Sequence, residues 1–131
     1  MKSPRWVDRR ALILLHGETL AEHGGLPGLR DDGALEASLA RPRHLNAYEP
    51  GSDLARLAAA YGFGLVRNHP FNDGNKRAGF LAIGLFLARN GRELAADPVE
   101  SIAVILRLAD GKMTELELAA WIRKNMRVAQ D

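Results

Sequence analysis

The sequence predicts an all-α fold: a compact bundle of about six helices in one domain spanning residues 1–131. Three observations predict it. Helix-starting residues and helix-stopping glycines or prolines alternate along the whole chain. Between them, apolar residues recur at spacings of three and four, as with Leu54, Leu57, Tyr61 and Leu65. Strand signals are weak, with few β-branched residues and no Asn-Gly turn between alternating runs.

Each helix has its own justification. Asp8 is a good N-cap for a first helix through about residue 23, closed by Gly24-Gly25. Residues 24–32 then form a glycine-rich loop. Asp31 or Asp32 caps a short second helix that Pro42 is expected to stop, because proline lacks the N–H that an interior turn needs. Pro50-Gly51 makes a turn, and Ser52 or Asp53 caps a third helix to about Asn68. A fourth runs from Asn75 to Asn90 and closes at Gly91. Asp97-Pro98 opens a fifth, to about Ala109, and Thr114 with Glu117 forms a capping box for a sixth near 115–127. The third and fourth are rich in alanine and glycine and nearly free of charge, so they are expected to pack closely at the centre. The loop joining them would then sit on the most rigid part of the molecule.

Composition excludes several classes of function. There is no cysteine, which removes disulfides, thiolate metal sites and cysteine nucleophiles. The formal charge is +2, but residues 1–10 carry +3, residues 120–131 carry +2, and the stretch between carries −3. A basic excess confined to the ends, with 6% aromatic residues, lacks the basic stripe of a nucleic-acid binder, and no direct nucleic-acid contact is expected. No apolar run is long enough for a signal-peptide core or a membrane span, so no membrane role is expected, and a cytoplasmic location fits the missing cysteines.

The central loop reads His69-Pro70-Phe71-Asn72-Asp73-Gly74-Asn75-Lys76-Arg77. Pro70 disfavours a helical His69, which ends the third helix and displays the imidazole at its terminus. Phe71 is a lone apolar residue, an expected anchor into the core. Gly74 permits positive φ or close approach of a ligand. The fourth helix begins at Asn75, where free N–H groups and the helix dipole favour an anion. Lys76 and Arg77 oppose that dipole, which makes sense if a polyphosphate lies there. Asp73 offers a hard oxygen suited to Mg²⁺ shared with substrate phosphates. His69 can act as a general base near neutral pH. The same string also reads as a plain helix cap beside a satisfied histidine, and physical chemistry alone leaves the two about equal.

These residues resemble the signature of the Fic/Doc superfamily, loosely H-x-F-x-D/E-G/A-N. The Doc (death-on-curing) branch is the closer, because lysine follows the asparagine directly in Asn75-Lys76-Arg77, where AMP-transferring Fic members usually have glycine. Gly24 to Asp31, Leu35 to Pro42, Ala47-Tyr48-Glu49, Asn90-Gly91 and Ala119-Ala120-Trp121 also resemble that branch. The resemblance implies an all-helical enzyme that uses ATP and Mg²⁺. It would transfer the terminal phosphoryl to a hydroxyl of a target protein, elongation factor Tu, until a small Phd-like antitoxin inserts a helical tail into a groove. It gives His69 the catalytic role, Asp73 the metal, and Gly74, Asn75, Lys76 and Arg77 the phosphates. AMP transfer by the same loop and a catalytically silent binding module are the alternatives. Polar residues that some Doc members carry later in the signature helix are replaced here by Phe80, Leu81 and Ile83. The inhibitory Ser/Thr-x-x-x-Glu helix of many Fic proteins is absent from the sequence, which points to inhibition by a second chain.

The remaining candidates read as structural. Gly62-Phe63-Gly64 lacks the third glycine of a dinucleotide fingerprint and lies in an apolar helix. His-Arg-Asp and Asp-Phe-Gly are both missing, so this is no ordinary protein kinase. His16 and His23 are expected to be surface or packing residues, and His44 to lie solvated in a loop. Arg41, Arg43 and Tyr48 are expected in a solvated loop between the second and third helices. Arg9, Arg10, Arg123, Lys124 and Arg127 are expected on solvated faces.

Overall fold

Helix starts are set by side chains that accept from the free N–H groups of the first turn. Asp8, Asp31, Asp53, Asp97 and Thr114 each do this. In the computed structural model, which describes residues 3–130, they open α1 (Arg9–His23), α2 (Asp32–Tyr48), α3 (Leu54–Asn68), α5 (Pro98–Ala109) and α6 (Glu115–Asn125). Thr114 and Glu117 complete the expected capping box. The sixth helix, α4 (Asn75–Arg89), starts differently: its N-cap is Gly74, and no side chain caps it.

α3 is the central rod. Ala55, Leu57, Ala58, Ala59, Ala60, Tyr61, Gly62, Gly64, Leu65 and Val66 are all buried along it. α2, α4 and α6 pack on its sides, and α1 and α5 lie against α4. Close approach of α3 and α4 depends on glycine. A methyl group on Gly79 would lie 2.7 Å from Val66 Cγ2 and 3.1 Å from the Gly62 carbonyl oxygen. One on Gly62 would lie 2.6 Å from Ile83 Cδ1. Ile83, Phe86 and Leu87 of α4 are fully buried here, each contributing roughly 1.5–3 kcal/mol of transfer free energy. The N-terminal segment straps across this core. Val7 donates its N–H to the Tyr61 hydroxyl at 2.9 Å, Trp6 stacks on Phe86, and burial pushes the Tyr61 pKa up.

Two expectations are corrected. Pro42 does not stop the second helix: α2 continues to Tyr48 with the ring buried inside it. An interior proline costs about 3 kcal/mol in an isolated helix. Here Leu35, Ser38 and Pro42 form the buried side of α2 against α3, so packing holds the helix through the break. Arg41, Arg43, His44 and Tyr48 consequently belong to α2 and not to a loop.

The sixth helix ends at Asn125 and not near 127. Residues after it form β2 (Met126–Val128), antiparallel to β1 (Arg92–Leu94), in the register Arg92 to Val128 and Leu94 to Met126. Arg127 pairs with Glu93 across these strands at 2.7 Å. Three-residue strands far apart in sequence give no local signal. No helix among the described residues is long and apolar enough to cross a membrane.

Candidate active site

The last turn of α3 ends at His69, whose backbone is left-handed at φ 49 and ψ 56. For a non-glycine residue this conformation costs roughly 1–2 kcal/mol. Among the described residues, no other non-glycine has positive φ. The imidazole is displayed at the surface, as expected, while the neighbouring Pro70 and Phe71 turn inward. Phe71 is 2% exposed and is the anchor of the loop. Its ring stacks on the His16 imidazole of α1, with centroids 3.8 Å apart.

Asn75 closes the loop from the other side. Its Oδ1 accepts from the Phe71 N–H at 2.9 Å and its Nδ2 donates to the Phe71 carbonyl at 3.0 Å. One amide hydrogen and the backbone N–H of Asn75 stay free of that ring, so a phosphate would meet these. Asp73 Oδ1 accepts from the Gly74 N–H at 2.8 Å and Oδ2 from the Leu26 N–H at 3.3 Å. A carboxylate oxygen has two lone pairs, so each retains acceptor capacity. Among the described residues, no three His, Asp or Glu side chains gather into a metal cage. A single carboxylate with spare lone pairs is nevertheless compatible with Mg²⁺, which keeps waters and takes its remaining ligands from substrate phosphates.

Gly74 is left-handed, at φ 71, and a methyl group there would lie 3.1 Å from His16 Nε2. α4 therefore starts with uncapped N–H groups, and Lys76 and Arg77 stand in that first turn. Neither makes an ion pair among the described residues, whereas Arg9, Arg41, Arg56, Arg123 and Arg127 all do. Lys76 and Arg77 form one end of a cavity of about 580 Å³ between α4 and α5, whose walls include Phe80, Ile102, Ile105 and Leu106. Positive charge and an apolar wall thus share one hollow, while His69, Asp73, Gly74 and Asn75 are not among the residues that line it.

Sequence reasoning missed the supports of this loop. His16 packs, as one of its two expected readings has it, and is 3% exposed; the contact not foreseen is that of its Nε2, 2.8 Å from the Asp73 carbonyl oxygen. A carbonyl only accepts, so Nε2 carries the proton of that bond. Leu12, His16 and Leu20 recur at a spacing of four and form the buried side of α1, a signal the sequence did contain. The loop between α1 and α2 also runs beside the site. Asn72 donates its N–H to Gly28 at 3.0 Å, Leu29 bridges Phe71, and Asn72 Nδ2 donates to Pro27 at 3.0 Å. Arg30 reaches the end of α3, donating from Nε to the His69 carbonyl at 2.6 Å and from Nη2 to the Asn68 carbonyl at 2.9 Å.

Comparison with known proteins identifies the family. Residues 6–87 match the model of the Fic/DOC family. Over 120 residues the chain is 35% identical to "Protein kinase doc" of Escherichia phage P1, covering 92% of this chain and 94% of that protein. Over 78 residues it is 44% identical to "Toxin Doc" of Mycolicibacterium smegmatis, covering 56% and 58% respectively.

Proposed function

The chain belongs to the Fic/DOC family, and on that premise we propose that it is a Doc-type toxin that moves the terminal phosphoryl group of ATP onto a protein hydroxyl. Elongation factor Tu is the proposed target, and an antitoxin chain the proposed restraint. One observation carries most of this reading: Lys76 and Arg77, both without carboxylate partners among the described residues, stand at the uncapped start of α4, which supports a triphosphate there. The phage relative's name, a protein kinase, supports phosphoryl over nucleotidyl transfer.

The roles proposed are those that the family resemblance implies. His69 accepts the proton of the target hydroxyl as its oxygen bonds to the terminal phosphorus. The bond from that phosphorus to the bridging oxygen breaks, and ADP departs. Gly74, the backbone N–H of Asn75, Lys76 and Arg77 hold the phosphates, and Asp73 would hold Mg²⁺. That ion, when bound, neutralises phosphate charge. Phosphoryl transfer depends mainly on positioning and charge stabilisation, so the set is sufficient in kind.

ATP labelled separately at the α and γ phosphates tests the reading, using wild type and His69→Ala with purified elongation factor Tu. Label from the γ position should reach the target with wild type and fall by ~10²–10⁴ in rate with His69→Ala. Label from the α position instead would mean AMP transfer, and no label from either would mean a silent binding module.

The hollow between α4 and α5 fits the antitoxin. Ile102 is 63% exposed and Leu106 is 45% exposed on α5, with Phe80 opposite. An amphipathic helix laid there would bury its apolar face, and an acidic side chain on it would meet Lys76 and Arg77. Its presence would obstruct the phosphate site.

A further inference from the structure

The backbone on both sides of His69 is held from outside its own loop. The direction of a Cα–Cβ bond is fixed by the two peptide planes that flank it. For His69 these planes carry the carbonyls of Asn68 and His69, and one guanidinium holds both. The adjacent backbone continues the grip: the N–H groups of Arg30 and Asp31 donate to the Pro70 carbonyl at 2.8 and 3.1 Å. Three successive carbonyls, 68 to 70, are thus held by two successive residues. A planar fork suits this task, because two parallel N–H groups fix orientation as well as distance. Its charge also complements the C-terminal end of the α3 dipole. Without it, a left-handed non-glycine residue has reason to relax toward extended or helical backbone, which would swing the imidazole away.

We propose that Arg30 is the positioning residue of His69, holding the base in a strained but productive direction without touching nucleotide or target. This rests on the reading of His69 as proton acceptor. It differs from simple capping of α3, which would affect stability and leave the chemistry unchanged.

The test uses Arg30→Ala and Arg30→Lys in the full chain, with the γ-label assay and the backbone ¹³C shifts of residue 69. For Arg30→Ala, kcat should fall about tenfold to a hundredfold, the penalty for a misplaced catalytic group. KM for ATP should stay within about twofold, since no phosphate contact is lost. Millimolar guanidinium chloride, far below denaturing concentration, should restore part of the rate, and sodium chloride should not. The shifts of residue 69 should leave left-handed values. Arg30→Lys, with one point donor in place of a fork, should fall between, and it carries the same comparison if the alanine variant does not fold. A kcat within twofold of wild type overturns the proposal, as does a loss of kcat with residue 69 still left-handed. If wild type transfers no label at all, the transferase reading fails by itself, and the shifts alone decide the clamp: left-handed values retained in both variants overturn it.

Discussion

Lys76 is set against its local preference. A cation in the first turn opposes the helix dipole by roughly 0.3–1 kcal/mol, and no carboxylate among the described residues offsets it. Local conflicts of this kind mark functional positions. A long cation here would crowd one phosphate arrangement and favour another. Lys76→Gly is therefore expected to lower γ-phosphoryl transfer and to let α-label appear on the target; unchanged phosphoryl transfer would count against this role. At this scale the sequence was informative where chemistry is contiguous. Residues 69–77 lie side by side, and the roles of Pro70, Phe71 and Gly74 follow from their own stereochemistry. It was silent where a partner arrives from a distance. His16 bonds a residue 57 positions away and Arg30 one 39 positions away, and no local pattern encodes either pairing.

Helices were legible through their caps, because a cap is a contact between near neighbours. Pro42 was misleading for the converse reason: its effect is decided by α3, which packs on it. Asp53 does two things at one element boundary. Its carboxylate caps α3 by accepting from the Arg56 N–H at 2.9 Å, and it binds Arg123 of α6 at 2.6 Å. The Arg123 guanidinium, and then the Arg56 N–H, hold its pKa below the ordinary 3.8. A depressed carboxylate contributes stability above its unfolded pKa, and this is lost as pH falls through the folded value. Both partners are nearly half exposed, at 45% and 49%, so the pair is worth at most about 1 kcal/mol. Asp53→Asn keeps a good cap and removes the ion pair: it should be slightly less stable than wild type at pH 7, with the gap closing below about pH 4. Asp53→Ala should lose about 1 kcal/mol more, at every pH. Urea titrations at pH 7 and pH 3 check both, and a gap for Asp53→Asn as wide at pH 3 as at pH 7 would refute the ionic part.

The molecule as a whole explains its uneven charge. Three of the terminal cations make ion pairs: Arg9 with Asp32 and Glu36, Arg123 with Asp53, Arg127 with Glu93. They are structural cross-braces, which leaves Lys76 and Arg77 as the cations facing the hollow between α4 and α5. If an antitoxin helix covers that hollow, Ile102→Asp should weaken neutralisation by at least tenfold, the loss of a buried apolar anchor, while the chain stays toxic alone. Co-expression with antitoxin, scored by bacterial growth, checks this; full rescue of growth would place the antitoxin elsewhere.

The glycine contact of α3 and α4 reaches further than packing. Bulk at position 79 would meet Val66 and the Gly62 backbone first, which is expected to push the two rods apart and to disturb the stretch that spans their ends. Among bacterial lineages selected to survive loss of the antidote, inactivating lesions should therefore gather at this crossing as well as in the nine-residue signature.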